Sequence, residues 1–290
     1  MQRKTVTKMH ISRKYSFSIL CFAVIVIFSI ILPKDASSQG NLLITPRRVV
    51  FDGQKKSQEL NLANTGKDTA KYVISFLQVR MKDDGSFETI TEPDPGQNFA
   101  DKYLRFFPRT VTLGPNEAQV IKIQLTKTGE LQPGEYRSHI YFRAVPDEKP
   151  LGEEAPKDST TIAIKLTPIF GITIPVIIRV GSSNTQVSVS DLAISLPADS
   201  LPRMKFTINR TGNMSVYGDV SVDYISPDGK TIPAGLIKGI AVYTPNHLRR
   251  VWIDLSKTAG INYHSGKLRI TFSAPSEEKS TKFTEAVLNL

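Results

Sequence analysis

The chain has 290 residues, with 37 Lys+Arg against 27 Asp+Glu, a net charge of +10 and one Cys. A composition of 40% hydrophobic and 22% charged residues excludes wholesale disorder, and a lone Cys excludes a disulfide framework or a Cys-rich zinc site. Half of the excess charge lies in residues 1–38, in Arg3, Lys4, Lys8, Arg13, Lys14 and Lys34 against Asp35. The remainder is too weakly basic to track nucleic-acid phosphates.

Residues 1–38 have the build of a secretory signal peptide. A basic stretch ends at Lys14, an apolar run covers Tyr15 to Leu32, and Ala36 and Ser38 occupy the small-residue positions of a cleavage site before Gln39. A run of that length also suits an uncleaved anchor, but cleavage after Ser38 is the expectation. Cys21 sits inside the apolar run without the small residue that a lipoprotein site requires. The exported chain is therefore expected to lack Cys and to have no stable membrane insertion.

Beyond Gln39 the residues read as short strands separated by turn signals, with no amphipathic helix. Glu59-Leu-Asn-Leu-Ala63 alternates and enters the turn Asn64-Thr-Gly66, and Tyr72 to Val79 is a strand ending near the hairpin signal Asp83-Asp-Gly85. Ile121, Ile123 and Leu125 alternate with Lys122 and Gln124. In the next strand Tyr136, Ser138, Ile140, Phe142 and Ala144 share one face, and Arg137, His139, Tyr141 and Arg143 share the other. Pro146–Ser159 reads as a long charged loop with three prolines, and Thr161–Leu166 as a closing strand.

The plan then repeats. Ile208-Asn-Arg-Thr-Gly212 and Asp228-Gly229 echo the first Asn turn and the first Asp-Gly turn, Gly266-Lys-Leu-Arg269 echoes Gly134-Glu-Tyr-Arg137, and Phe283–Leu290 echoes the closing strand. The expectation is an all-β protein: two Ig-like β-sandwich domains in tandem after the signal peptide, over 39–175 and 176–290, joined within Pro175 to Asn184.

Enzyme chemistry has little support. His139, His247 and His264 are isolated, paired carboxylates such as Asp83-Asp84 fall in turns, and no nucleophile elbow, metal motif or phosphate-cradling loop occurs. No catalytic, metal or cofactor-binding residue is assigned.

The informative order is Ile44-Thr-Pro-Arg-Arg-Val-Val-Phe-Asp-Gly53, then Leu60-Asn-Leu-Ala-Asn-Thr-Gly66, then Phe107 to Pro115 with Gln119-Val-Ile-Lys-Ile123, then Gly134 through Pro146. Over roughly residues 41–175 it resembles the PapD-like periplasmic chaperones of pilus assembly. Gly114-Pro115 reverses that family's usual Pro-Gly. The resemblance implies a chaperone–usher function: capping pilin-like fibre subunits in the periplasm by donor-strand complementation, and delivering them to an outer-membrane usher. It implies donor side chains Ile162, Ile164 and Leu166, and a client-carboxylate anchor at Arg48. The family's second cation, a Lys, has no counterpart in Leu166-Thr-Pro-Ile-Phe-Gly171, which leaves Arg143 or Arg137 to supply it. A bare donor strand also gives the client-free protein a reason to cap itself as a homodimer. The competing reading is a structural or adhesive exported protein of tandem Ig-like or fibronectin-like modules.

Overall fold

The computed structural model describes residues 41–146, 169–275 and 281–290. The signal segment, the Pro146–Ser159 loop beyond Pro146, and Ile162, Ile164 and Leu166 lie outside the described residues. Among those described, the structure is built from β-strands with two single-turn 3₁₀ segments, and no helix is long and apolar enough to cross a membrane.

The first sandwich contains β1 (Leu42–Thr45), β2 (Val49–Phe51), β3 (Ser57–Asn64), β4 (Ala70–Leu77), β5 (Val79–Met81), β6 (Phe87–Thr89), β7 (Leu104–Phe107), β8 (Thr110–Leu113), β9 (Ala118–Leu125), β10 (Gly134–Val145) and β11 (Gly171–Val180). One sheet has the order β1-β3-β9-β7 and the other β2-β11-β10-β4-β8, with β5 and β6 forming a separate hairpin. A four-stranded sheet facing one centred on three antiparallel strands is the Ig arrangement. The core follows from alternation: Leu60 and Leu62 of β3 and Ile121 and Ile123 of β9 are fully buried against Phe51, Ile140 and Phe142. The Asn64 turn is held by its side chain, whose amide donates to the Asp68 and Leu113 carbonyls while its Oδ1 accepts from Gly66 N.

The second sandwich contains β12 (Gln186–Ser195), β13 (Arg203–Thr211), β14 (Val216–Ile225), β15 (Thr231–Val242), β16 (Leu248–Asp254), β17 (Lys267–Ser273) and β18 (Lys282–Asn289). Its sheets are β12-β13-β16 and β15-β14-β17-β18, around a separate core that includes Phe206, Val220, Tyr224 and Phe272. The two Ig-like sandwiches expected from the repeat are present.

Two details go beyond the sequence reading. Among the described strands β11 pairs with β10, with Gly171 opposite Arg143 and Val180 opposite Gly134, while the expected closing strand Thr161–Leu166 lies outside the described residues. The expected boundary at 175/176 falls inside β11, which continues to Val180 before Gly181 (φ +78°) opens the connection. Pro175, the first residue of the expected joint, lacks an N–H. It is tolerated because β2 pairs with β11 only over Val176–Ile178, so Pro175 needs no donor on that side among the described strands.

Candidate functional site

The outward face of β10 divides into two halves. Arg137 and His139 are 2% and 3% exposed, covered by the β5–β6 hairpin and the second sandwich together, whereas Tyr141 is half-buried and Arg143 is exposed. Strand alternation specified this polar face correctly, but not that half of it would be buried.

Arg48 reaches the same seam through the first strand's change of sheet. β1 pairs with β3, the chain crosses over at Pro46–Arg48, and β2 then lies parallel to β11 with Val49 opposite Val176. Val49 and Phe51 point into the core, while Val50 joins a small apolar cluster of Met81, Ile177, Ala241, Tyr243 and Tyr217 between the sandwiches. By the two-residue period Arg48 points with Val50. Its guanidinium carbon lies 4.5 Å from the centre of the Tyr217 ring, and its Nε is buried without a hydrogen-bond partner. Burial holds its pKa below the ordinary arginine value, with Tyr243 opposing that shift.

Glu135 is the carboxylate of the seam, and its side chain is fully buried. Its Oε2 accepts from Arg179 Nε at 3.1 Å and Ser215 N at 3.0 Å, and its Oε1 from Thr244 Oγ1 at 3.3 Å. Arg179 also donates to the Ser215 carbonyl at 2.7 Å. The first sandwich is thereby tied to two loops of the second through one charged group.

Arg137 stacks on Tyr243, its guanidinium carbon 4.5 Å from the ring centre. Its Nη2 makes only long contacts, 3.4 Å to the Thr244 carbonyl and 3.5 Å to that of Val79, and its Nε and Nη1 have no partner. His139 sits edge-on between Phe87 at 5.4 Å and Tyr243 at 6.4 Å. Burial and then the nearby Arg137 charge push its pKa down to about 3.

The β5–β6 hairpin covers this cluster and grips the second sandwich. Asn246 Nδ2 donates to the Met81 carbonyl at 2.8 Å, and Arg250 bonds Asp83 through its backbone N at 2.6 Å and its Nη1 at 3.0 Å. The Arg249 guanidinium lies across Gly85, its Nη1 donating to the Ala241 carbonyl at 2.9 Å and its Nε unpartnered.

The seam is therefore a desolvated, cation-rich surface with more donors than acceptors, suited to an anionic group. Of the expected site residues, Arg48 and Arg137 are brought to it. Arg143 is farther along β10, opposite Gly171, beside an open stretch of β11. Between Gly171 and Pro175 β11 has β10 on one side and no partner strand on the other among the described residues, and the preceding Ile169 and Phe170 are each 45% exposed. Arg48 stands where that open edge meets β2.

Glu135, Arg179, Tyr217, Tyr243 and Arg249 were not identified as site residues from sequence. Only Glu135, within the Gly134-Glu-Tyr-Arg137 stretch, carried a local signal.

No protein-family model and no curated protein sequence matches this chain. Among solved structures it is similar to the YadV chaperone, with 13% identity and a TM-score of 0.42 over 86% of this chain and 100% of that one. It is similar to a Salmonella enterica SafA pilin in complex with the SafB chaperone, with 13% identity and a TM-score of 0.40 over 89% and 99% of the respective chains. The E. coli chaperone DraB is similar at 15% identity and a TM-score of 0.38, over 84% and 95%.

Proposed function

We propose that the protein is an exported, non-catalytic chaperone of pilin-like fibre subunits, acting in the periplasm and passing its clients to an outer-membrane usher. The observation that carries this reading is the position of Arg48 at the closed end of the open β11 edge. A client strand laid along Gly171–Pro175 would run into β2 and end at Arg48. If its carboxylate is the terminus held there, the client strand runs in the same direction as β11, as β2 does. The planar guanidinium suits a carboxylate because it offers two parallel N–H donors.

In a strand continued backward from Gly171, Ile162, Ile164 and Leu166 fall on the same side as the core-facing Ile172 and Ile174. Inserted into a subunit groove, each side chain contributes roughly 1.5–3 kcal/mol of apolar burial. Arg143, exposed beside the open edge, suits an acidic residue along the client strand better than its end. Arg137 lies under Tyr243 and is less accessible to an incoming chain than Arg48. The same open edge supports self-capping as a homodimer when no client is present.

The test is capture of a fibre subunit from periplasm. Arg48→Ala is expected to abolish subunit recovery while the chaperone stays folded, since the substitution removes a cation that packs on the Tyr217 ring and whose Nε has no hydrogen-bond partner. Arg48→Lys restores recovery only in part, because the two-pronged geometry is lost. Normal recovery by Arg48→Ala would exclude Arg48 as the anchor.

A further inference from the structure

The ring of Tyr141 reaches across to the neighbouring strand. On β10 the residue stands opposite Thr173 of β11 on one side and Ser75 of β4 on the other, yet its ring leans diagonally over Gly171. A Cβ built on Gly171 would lie 2.2 Å from Cε2 of Tyr141, 2.5 Å from its hydroxyl and 2.7 Å from its Cζ. The outer half of the ring therefore fills the space that a side chain at position 171 would take. Gly171 does not have the positive φ that calls for glycine elsewhere in the chain, so what the position requires is room for the ring. The same residue lies on the free edge of β11, where no strand pairs on the far side among the described residues, and it is exposed there. A strand added at that edge lies about 4.8 Å from β11. Since Ile172 and Ile174 face the core, its residue level with Gly171 faces outward and meets the end of the Tyr141 ring, where a glycine alone would offer no side chain.

We propose that Tyr141 is a specificity-determining residue of the client edge: it stands in for the side chain that Gly171 lacks and selects an aromatic or β-branched client residue at the outward position level with it. The inference rests on the chaperone reading, in which the client strand runs parallel to β11 and ends at Arg48. Arg48 immediately precedes Val49, which is level with Val176. The selected residue is therefore roughly three or four positions before the client's last one. Aromatic and β-branched side chains suit the place because they pack on the ring with few rotamers to lose. Alanine leaves the ring end uncovered, and lysine covers it only by giving up much of its rotamer freedom.

The experiment titrates the exported chain with an extended peptide that begins with solubilising lysines, alternates valine inward and threonine outward, and ends in a free carboxylate. Valine or alanine replaces the threonine at each outward position in turn. Loss of binding in Arg48→Ala and with the amidated peptide establishes the edge and its anchor. At one outward position the preference for valine over alanine should exceed that at the others by about twofold to fivefold. That excess should vanish in Tyr141→Ala, and also in Gly171→Ala, where the new Cβ drives the ring away. Tyr141→Phe keeps the ring and should keep the excess. A nuclear Overhauser contact between the bound valine methyls and the Tyr141 ring of the unmodified protein provides a readout that needs no variant. A ring that only covers Gly171 within the fold would change the melting temperatures of the variants without moving the valine-to-alanine ratio. That result, or the absence of the contact, overturns the proposal and leaves Arg48 and the client edge intact. Peptide binding that is absent, or indifferent to Arg48, overturns the chaperone reading of this edge and the proposal with it.

Discussion

His139 is the residue through which acid reaches the seam. Its imidazole is buried against two aromatic rings beside a cation, and its pKa is pushed down to about 3. In the unfolded chain it titrates near 6.5, so between these values the unfolded state binds a proton that the folded state refuses. Its contribution to stability is complete above about pH 6.5 and is lost as pH falls toward 3, at up to ~1.4 kcal/mol per pH unit. His139→Phe keeps an aromatic ring between Phe87 and Tyr243 but removes the titration. Melting curves over that pH range should show a shallower acid dependence for the variant than for the parent. Equal slopes would mean that His139 does not exclude a proton in the folded state. From sequence, His139 was an isolated histidine on an alternating strand. The residues that bury it, Phe87 and Tyr243, lie 52 positions before and 104 after it in the chain, and local periodicity carries no information on such contacts. Arg48 was singled out for a different reason: the ordered Arg-Val-Val-Phe-Asp-Gly stretch marks it as a candidate by resemblance, without any knowledge of its surroundings.

At the scale of single elements, strands with one buried face were readable and elements with two buried faces were not. β3, β9 and the inner face of β10 follow strict alternation, and their cores are where that alternation puts them. β11 buries Ile174, Val176 and Ile178 in the core and Ile177 in the seam, so its pattern blurs and Pro175 becomes misleading. The β5–β6 hairpin was marked by Asp83-Asp-Gly85, but its grip on the second sandwich was not. Gly85 has φ +84°, and a Cβ there would collide with the Arg249 guanidinium. Gly229 has φ +88° with nothing near its Cβ position, so alanine there costs backbone strain alone. Gly85→Ala should therefore lower stability more than Gly229→Ala, by roughly 1–3 kcal/mol, as Arg249 is displaced and the hairpin lifts. Chemical denaturation of the two variants compares them directly. Equal losses would show that the Arg249 contact contributes nothing to holding the hairpin.

For the whole molecule, the question is what makes two separately cored sandwiches behave as one body. Each has a hydrophobic core of its own, so each can persist when the other melts. The apolar contact between them is small, centred on Met81, Ile177, Ala241 and Tyr243, which leaves the polar ties a large share of the coupling. Glu135 is central among these, because one carboxylate on β10 accepts from Ser215 N and Thr244 Oγ1 of the second sandwich while neutralising Arg179. Removing it leaves the buried Ser215 amide without an acceptor and Arg179 without its carboxylate, in a region already short of negative charge. Breaking a buried pair from one side costs about 3–5 kcal/mol, and here that cost falls on the contact between sandwiches rather than on either core. Glu135→Ala is therefore expected to split one calorimetric transition into two and to separate the exchange protection of buried β3 amides from that of β14 amides. Glu135→Gln, which keeps an acceptor but not the charge, should fall between the alanine variant and the parent. A single transition in Glu135→Ala, with β3 and β14 protection still matched, would assign the coupling to the hairpin and the apolar contact instead.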